Sequence, residues 1–152
     1  MSVRIADEGD VDRLSDLRRR WNEERHGTPI DDPAFDARFR AWWEAEHPTR
    51  TFFLAELGRD PVGMANVKRY LRMPAAGMAS AGEWGYVGNV FVLPEHRNAR
   101  IGEELMERIV AWAGEEGLEH LRLAPSPRSV PFYERLGFRP GAVVERDPPS
   151  PS

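Results

Sequence analysis

Val90-Phe91-Val92-Leu93-Pro94-Glu95-His96-Arg97-Asn98-Ala99-Arg100-Ile101-Gly102 is the stretch from which the chain is best read. An apolar run stops at a proline, and a polar turn with two arginines comes next. Then Ile101, Leu105, Ile109 and Trp112 or Ala113 recur on one side, the spacing of an amphipathic helix. Strand, turn and helix N-terminus together hold anions. The first helical turn has N–H groups without intrahelical partners, and the peptide dipoles make that end electropositive. A phosphate there satisfies both. Arg97 and Arg100 oppose the dipole unless an anion joins them, which favours the phosphate reading over a merely solvated turn.

Outward from this stretch, 152 residues suit one hydrophobic core, and 41% hydrophobic with 30% charged residues is the balance of a globular chain. We read residues 1–147 as a single domain and the Pro/Ser-rich residues 148–152 as a disordered tail. A net charge of −4 argues against a sequence-independent nucleic-acid binder. The absence of cysteine excludes disulfides, thiolate metal sites and a cysteine nucleophile. His26, His47, His96 and His120 show no metal-ligand spacing, so no metal is expected. The charged first residues do not read as a signal peptide, and no apolar run approaches the ~20 residues of a membrane span. The expectation is a soluble cytoplasmic protein, bacterial by its Arg- and Ala-rich composition, with no membrane or nucleic-acid partner.

In chain order, Val3-Arg4-Ile5 alternates as a first strand, and Asp7 or Asp10 can cap the helix after it. Val11, Leu14, Leu17 or Arg18, and Trp21 form that helix's apolar stripe, which runs out at His26-Gly27. Arg18-Arg19-Arg20 reads as an exposed helix face, because Asp16, Glu23 and Glu24 neighbour it. Asp32-Pro33 predicts the cap and first residue of a second helix carrying Phe35, Phe39, Trp42 and Trp43. Strands are expected at 51–57 and 62–70, a loop at 71–82, and a strand at 84–93 with a bulge at Gly88-Asn89. The phosphate-turn helix runs to Gly114 or Gly117. After it come a strand at 118–124, a short helix at 129–136 stopped by Gly137, and a last strand at 138–146. This order predicts an α+β fold, a mostly antiparallel sheet covered by helices.

Two segments of this frame resemble one family. Val92 to Gly102 is similar to the acyl-CoA pyrophosphate loop of the GNAT superfamily of N-acetyltransferases: Arg or Gln, two free positions, Gly, one free position, then Gly or Ala. Ser129-Val130-Pro131-Phe132-Tyr133-Glu134-Arg135-Leu136-Gly137-Phe138 resembles the same family's second signature, whose core is Phe-Tyr-x-x-x-Gly-Phe. The element order agrees along the whole chain. Arg100 stands where the loop prefers glycine, and Asn98 at another frequent glycine; Ser126 and Ser129 replace the usual Asn and Ala of the second signature. The resemblance implies a mixed sheet whose parallel strands 84–93 and 118–124 splay apart. Acetyl-CoA lies in that splay as co-substrate. Val90, Phe91 and Val92 would meet its pantetheine arm through backbone groups. Arg97 leads the loop, and Asn98, Ala99, Arg100, Ile101, Gly102 and Glu103 would wrap the pyrophosphate. Ser126 and Ser129 would touch the cofactor arm.

The implied reaction moves an acetyl group to a primary amine of a small molecule or peptide by direct attack in a ternary complex. It needs a neutral amine, donors to the carbonyl oxygen, and a proton for the departing thiolate. Tyr133 matches the family's general acid, although its place beside Phe132 and Leu136 also fits core packing. The oxyanion donor would be the Val92 N–H. Glu83 is the candidate base; a solvated loop carboxylate, with a water chain moving the proton, reads equally well.

The acceptor pocket implied by the family is built from the first two helices, their connecting loop and the loop before the central strand. There Glu23, Glu24, Asp31 and Asp32 could attract a cationic amine or simply be solvated. Family members are often homodimers. A non-catalytic acyl-CoA-binding sensor or interaction module would carry the same residues, and its support is the altered loop and the absence of an obvious base.

Overall fold

The computed structural model describes residues 1–151; Ser152, the last residue of the expected tail, lies outside the described residues. Strand β1 (Ser2–Ile5) leads through a tight turn, in which Asp7 and Asp10 form a capping box, into helix α1 (Val11–His26). Gly27 ends α1 at φ 87°, a left-handed conformation that glycine adopts without strain. Helix α2 (Phe35–Glu46) begins later than Asp32-Pro33 suggested. Proline forces Asp32 out of the helical region, so a turn closes first, with Phe35 N–H donating to Asp32 C=O at 3.1 Å. The Asp32 carboxylate is held by Arg38 instead of capping the helix.

Strands β2 (Arg50–Leu57), β3 (Asp60–Leu71), β4 (Glu83–Val92) and β5 (Leu121–Arg122) complete a five-stranded sheet in sequence order. β1 to β4 run antiparallel, and β5 joins β4 in parallel after helix α3 (Ile101–Glu115). Side chains alternate across this sheet, so its faces are covered separately. On one face, α1 sets Trp21 flat on Phe91 at 5.4 Å, and α2 sets Trp42 edge-on to Phe52 at 5.6 Å. On the other, α3 buries Leu105, Met106 and Ile109, and Trp112 meets Phe53 edge-on at 5.4 Å. Gly63 allows that close approach, since a Cβ there would lie 3.2 Å from Leu105 and 3.1 Å from the Phe91 carbonyl.

Two irregularities in β4 prepare the site. Met64 pairs with Phe91 and Asn66 with Gly88, two steps along β3 against three along β4. The extra residue is the bulge expected at Gly88-Asn89, and Asn89 takes φ 54° within it. The second irregularity is the splay. β4 and β5 pair only at Gly85–Leu121 and Tyr86–Arg122, then part. Gly85 admits β5 to that edge, because a Cβ would stand 2.7 Å from Val67 and 2.9 Å from Leu121.

β5 is shorter than the strand expected at 118–124, and the strand expected at 138–146 does not form. After the short helix α4 (Val130–Arg135), Gly137 turns the chain at φ 91°, and Pro140-Gly141 interrupts the segment beyond it. The two-residue β5 offers no ladder to join, and Val143 and Val144 stay exposed.

Candidate active site

The turn after β4 holds two non-glycine residues in the left-handed region, Asn98 at φ 66° and Arg100 at φ 64°. These are the positions where the resembled loop prefers glycine, and the backbone shows why: only glycine takes that conformation without strain. Arg100 is the N-cap of α3, and its carbonyl accepts the first helical bond from Glu104 N–H at 3.0 Å. The N–H groups of Ile101, Gly102 and Glu103 therefore precede the first closed turn and point out of the helix end. Ala99 lies between the two strained residues.

The two arginines of the turn are engaged. Arg100 reaches Glu103 with Nε at 3.0 Å and Nη2 at 2.9 Å, in an exposed pair. Arg97 grips both carboxylate oxygens of Glu24 on α1, at 2.7 and 2.9 Å, while its Nε donates to the Val92 carbonyl at 3.1 Å. Arg97 thus ties the turn to α1.

α4 comes up beside this helix end. A Cβ on Gly102 would lie 3.5 Å from Phe132 Cζ and 3.9 Å from Val92 Cγ2. The two signature segments, about thirty residues apart in the chain, are therefore in contact. Tyr133 packs edge-on to Phe132 at 5.0 Å and to Phe138 at 5.8 Å. Burial pushes its phenol above the ordinary value, so the group keeps its proton at neutral pH. In the turn before α4, the Ser126 and Ser129 hydroxyls lie 3.0 Å apart, and Ser129 Oγ also donates to the Ser126 carbonyl at 3.0 Å.

Between turn and sheet lies the open edge of β4. Leu93 N–H bonds Val62 C=O at 2.9 Å, and Phe91 pairs with Met64. By alternation, Val90 and Val92 turn their backbone groups away from β3, toward the splay. The Val92 carbonyl is taken by Arg97; its N–H and both groups of Val90 face the gap. Phe91 itself is buried under Trp21.

A cavity of about 320 Å³ opens on the α1/α2 face of the sheet, at the level of the bulge. α1 contributes Arg18, α2 contributes Phe35, Phe39 and Trp42, and the sheet contributes Phe52, Asn66 and Asn89. Asn66 donates to Asn89 Oδ1 at 2.9 Å and accepts from Arg50 at 2.7 Å. Arg50 and Lys68 are both held by Glu46, at 2.8 and 2.9 Å. Among the described residues, no carboxylate lines the cavity. Three of the four acidic residues expected to attract an amine are engaged by other groups: Glu24 by Arg97, Asp32 by Arg38, and Glu23 by the Ile30 N–H at 3.0 Å.

Glu83 is not brought to this site. It lies at the opposite end of β4, in a two-point pair with Arg69 at 3.1 and 3.2 Å. Arg69 stands over Trp112 of α3, so the pair is on the face away from the cavity. The alternation of the strand decides this, since Glu83 pairs with Leu71, two residues on from Arg69 and on the same face. Arg18 corrects the sequence reading in the other direction. It is half-buried at the cavity wall, whereas Arg19 pairs with Asp36 and Arg20 with Glu95. The signal was its position four residues after buried Leu14, on the apolar stripe rather than the charged run. Among the described residues, no group of three or more His, Asp or Glu side chains could hold a metal ion, and no helix is long and apolar enough to cross a membrane.

A parallel strand pair parting at a bulge, a free helix N-terminus at its mouth and a pocket on the far side of the strand define an acyl-CoA-type transferase fold. The model of the acetyltransferase (GNAT) family matches residues 12–138, and the chain belongs to that family. It is similar to a glucosamine 6-phosphate N-acetyltransferase of Trypanosoma brucei brucei, 36% identical over 55 residues, 36% of this chain and 37% of that protein. An amino-acid acetyltransferase of Edwardsiella ictaluri (strain 93-146) is 39% identical over 59 residues, 39% of this chain and 13% of that protein. The matched region thus spans well under half the length of either relative. Among solved structures, a predicted acetyltransferase from Clostridium acetobutylicum, crystallised with acetyl-CoA, superposes at a TM-score of 0.75 with 21% identity, covering 96% of this chain and 95% of that one. That likeness carries the fold.

Proposed function

We propose that this chain is an acetyl-CoA-dependent N-acetyltransferase that acetylates a primary amine by direct attack in a ternary complex. The observation that carries the reading is the contact between Gly102 and Phe132, which joins the helix N-terminus to the Tyr133 segment across the mouth of the splay. The residues present fit the co-substrate: free N–H groups await a diphosphate, and an unpaired strand edge awaits an amide-bearing arm. Bound acetyl-CoA supplies the activated acetyl group.

In this reading the N–H groups of Ile101, Gly102 and Glu103 hold the pyrophosphate, with Asn98, Ala99 and Arg100 shaping the turn around it. Val90, Phe91 and Val92 present the strand edge, and Val90 offers both a donor and an acceptor to the arm. The Val92 N–H donates to the carbonyl oxygen as charge develops there. Ser126 and Ser129 border the arm from the turn before α4. Tyr133 keeps a proton and gives it to the sulfur as the thiolate leaves. Among the described residues no carboxylate lines the cavity, so the amine loses its proton to solvent. Arg18, the cation of the cavity wall without an acidic partner among the described residues, favours the neutral amine by lowering the pKa of its ammonium form.

Calorimetry tests the reading. Acetyl-CoA is expected to bind with micromolar affinity, and Gly102→Trp to abolish binding, because the indole would fill the space between Phe132 and Val92. Gly102→Ala is expected to bind, since its Cβ meets only ordinary contacts. No heat with acetyl-CoA or CoA overturns the reading. Tight binding without transfer to any member of an amine panel makes the chain a non-catalytic acyl-CoA-binding module.

A further inference from the structure

The cavity beside the bulge carries a cation with nothing to neutralise it. Around it, Arg38 is paired with Asp32, Arg50 with Glu46 and Arg19 with Asp36. Arg18 forms no ion pair with an acidic side chain among the described residues, and burial, with the like charge of Arg25 nearby, holds it below the ordinary guanidinium value. Its guanidinium lies 4.6 Å above the Trp21 ring, and it borders an apolar space. A half-desolvated guanidinium on a residue that lines a cavity is an unfavourable arrangement that an anion would relieve.

The other walls restrict what can bring that anion. Phe35, Phe39, Trp42 and Phe52 form a continuous aromatic series with successive ring centroids 5.6 to 6.0 Å apart. The polar neutral groups are Asn66 and Asn89, and they are bonded to each other. Among the described residues no serine, threonine, aspartate or glutamate lines the space, so a polyhydroxylated ligand would find few partners for its hydroxyls.

Resting on the transferase reading above, we propose that the acceptor is an amine with an aromatic or bulky apolar body and one carboxylate. Arg18 binds the carboxylate, and the aromatic series takes the body. The pairing also favours reaction: neutralising the carboxylate removes the negative charge that holds the ammonium proton, so the attacking nitrogen is freed without a protein base. A sugar phosphate fits less well, because one free guanidinium meets a dianion and the hydroxyls meet only the Asn66–Asn89 pair amid aromatic walls.

The test uses a ligand that cannot react. Binding of 3-phenylpropionate, its neutral amide 3-phenylpropanamide and glucosamine 6-phosphate is measured on the full chain by Trp fluorescence, with acetyl-CoA titrated in parallel. The acid is expected to bind about tenfold more tightly than the amide, the scale of one charge-assisted bond. Arg18→Gln is expected to bring the acid down to the amide, and Arg18→Lys to retain part of the preference. Equal binding of acid and amide, an acid preference that survives Arg18→Gln, or tighter binding of glucosamine 6-phosphate overturns the proposal. The two readings fail separately. Acetylation of phenethylamine with no acid preference removes the carboxylate site and keeps the transferase. An acid preference with no acetylation of any amine keeps the site and removes the transferase.

Discussion

Arg97 and Glu24 form a two-point ion pair, at 2.7 and 2.9 Å, that joins the turn after β4 to helix α1. In this arrangement Arg97 braces the turn and the Val92 carbonyl, and Glu24 is engaged with it. If bracing is its contribution, Glu24→Gln and Arg97→Gln should weaken acetyl-CoA binding alike, by about three- to tenfold. The double variant should be no worse than either single one, the signature of coupled partners. A direct phosphate contact predicts a different pattern: Arg97→Gln would be costly, while Glu24→Gln would free the guanidinium and tighten binding.

Arg100 stands at φ 64° with its side chain exposed and paired to Glu103. An exposed pair contributes little, whereas a left-handed non-glycine residue strains the turn. Arg100→Gly should therefore raise the melting temperature by about 2–4 °C, and calorimetric scanning reads it directly. Acetyl-CoA affinity should hold or improve, since glycine lets the backbone approach the phosphates. A fall in affinity of tenfold or more would mean that the guanidinium leaves Glu103 to grip the anion.

The sheet, its bulge and the helix order were legible because each rests on local pattern. Apolar spacing marked α1 and α3, and Gly88-Asn89 in an apolar strand marked the bulge. The last strand was not legible, because residues 138–146 have strand composition but nothing to pair with. Of the candidate site, the turn and the strand edge were legible as backbone features. The site was misread where it depends on which way a charge faces. Glu83 shares a sheet face with Arg69, a placement set by the strand register, whereas Arg18 shares a helix face with Leu14, a spacing present in the sequence that the charged run Arg18-Arg19-Arg20 outweighed.

Asp10 is buried beneath the first turn, where Arg4 donates to both its oxygens at 2.8 and 2.7 Å. Arg4 also bonds buried Glu56 at 2.7 Å, and Arg13 bonds Glu56 at 2.8 Å. The Arg4 guanidinium holds the Asp10 carboxyl below the ordinary carboxylate value. The folded chain thus releases this proton more readily than the unfolded chain. The stabilisation is complete above the unfolded value near pH ~3.9 and is lost as pH falls through the lower folded value. Asp10→Asn should cost about 3 kcal/mol at pH 7, the low end for breaking a buried pair, because Arg4 keeps some solvent. Acid titration followed by circular dichroism should show that difference shrinking below pH ~4. A difference that stays constant to pH 2 would rule out the ion pair as its source.

Tyr133 offers the sharpest division between enzyme and binding module. Its ring is fixed edge-on by Phe132 and Phe138, and phenylalanine keeps both contacts. Tyr133→Phe should therefore leave the melting temperature and the acetyl-CoA Kd unchanged. If the hydroxyl protonates the leaving sulfur, kcat should fall about 10²-fold, the lower range for losing a positioned acid. Because burial raises the phenol above its ordinary value near 10, the wild-type rate should show no loss of an acid between pH 6 and about 9. The rate should instead rise with pH as the amine becomes neutral. Steady-state kinetics across that range checks both points. A variant with wild-type kcat would reduce Tyr133 to a packing residue, and a rate that falls as pH approaches 8 would assign the proton to another group.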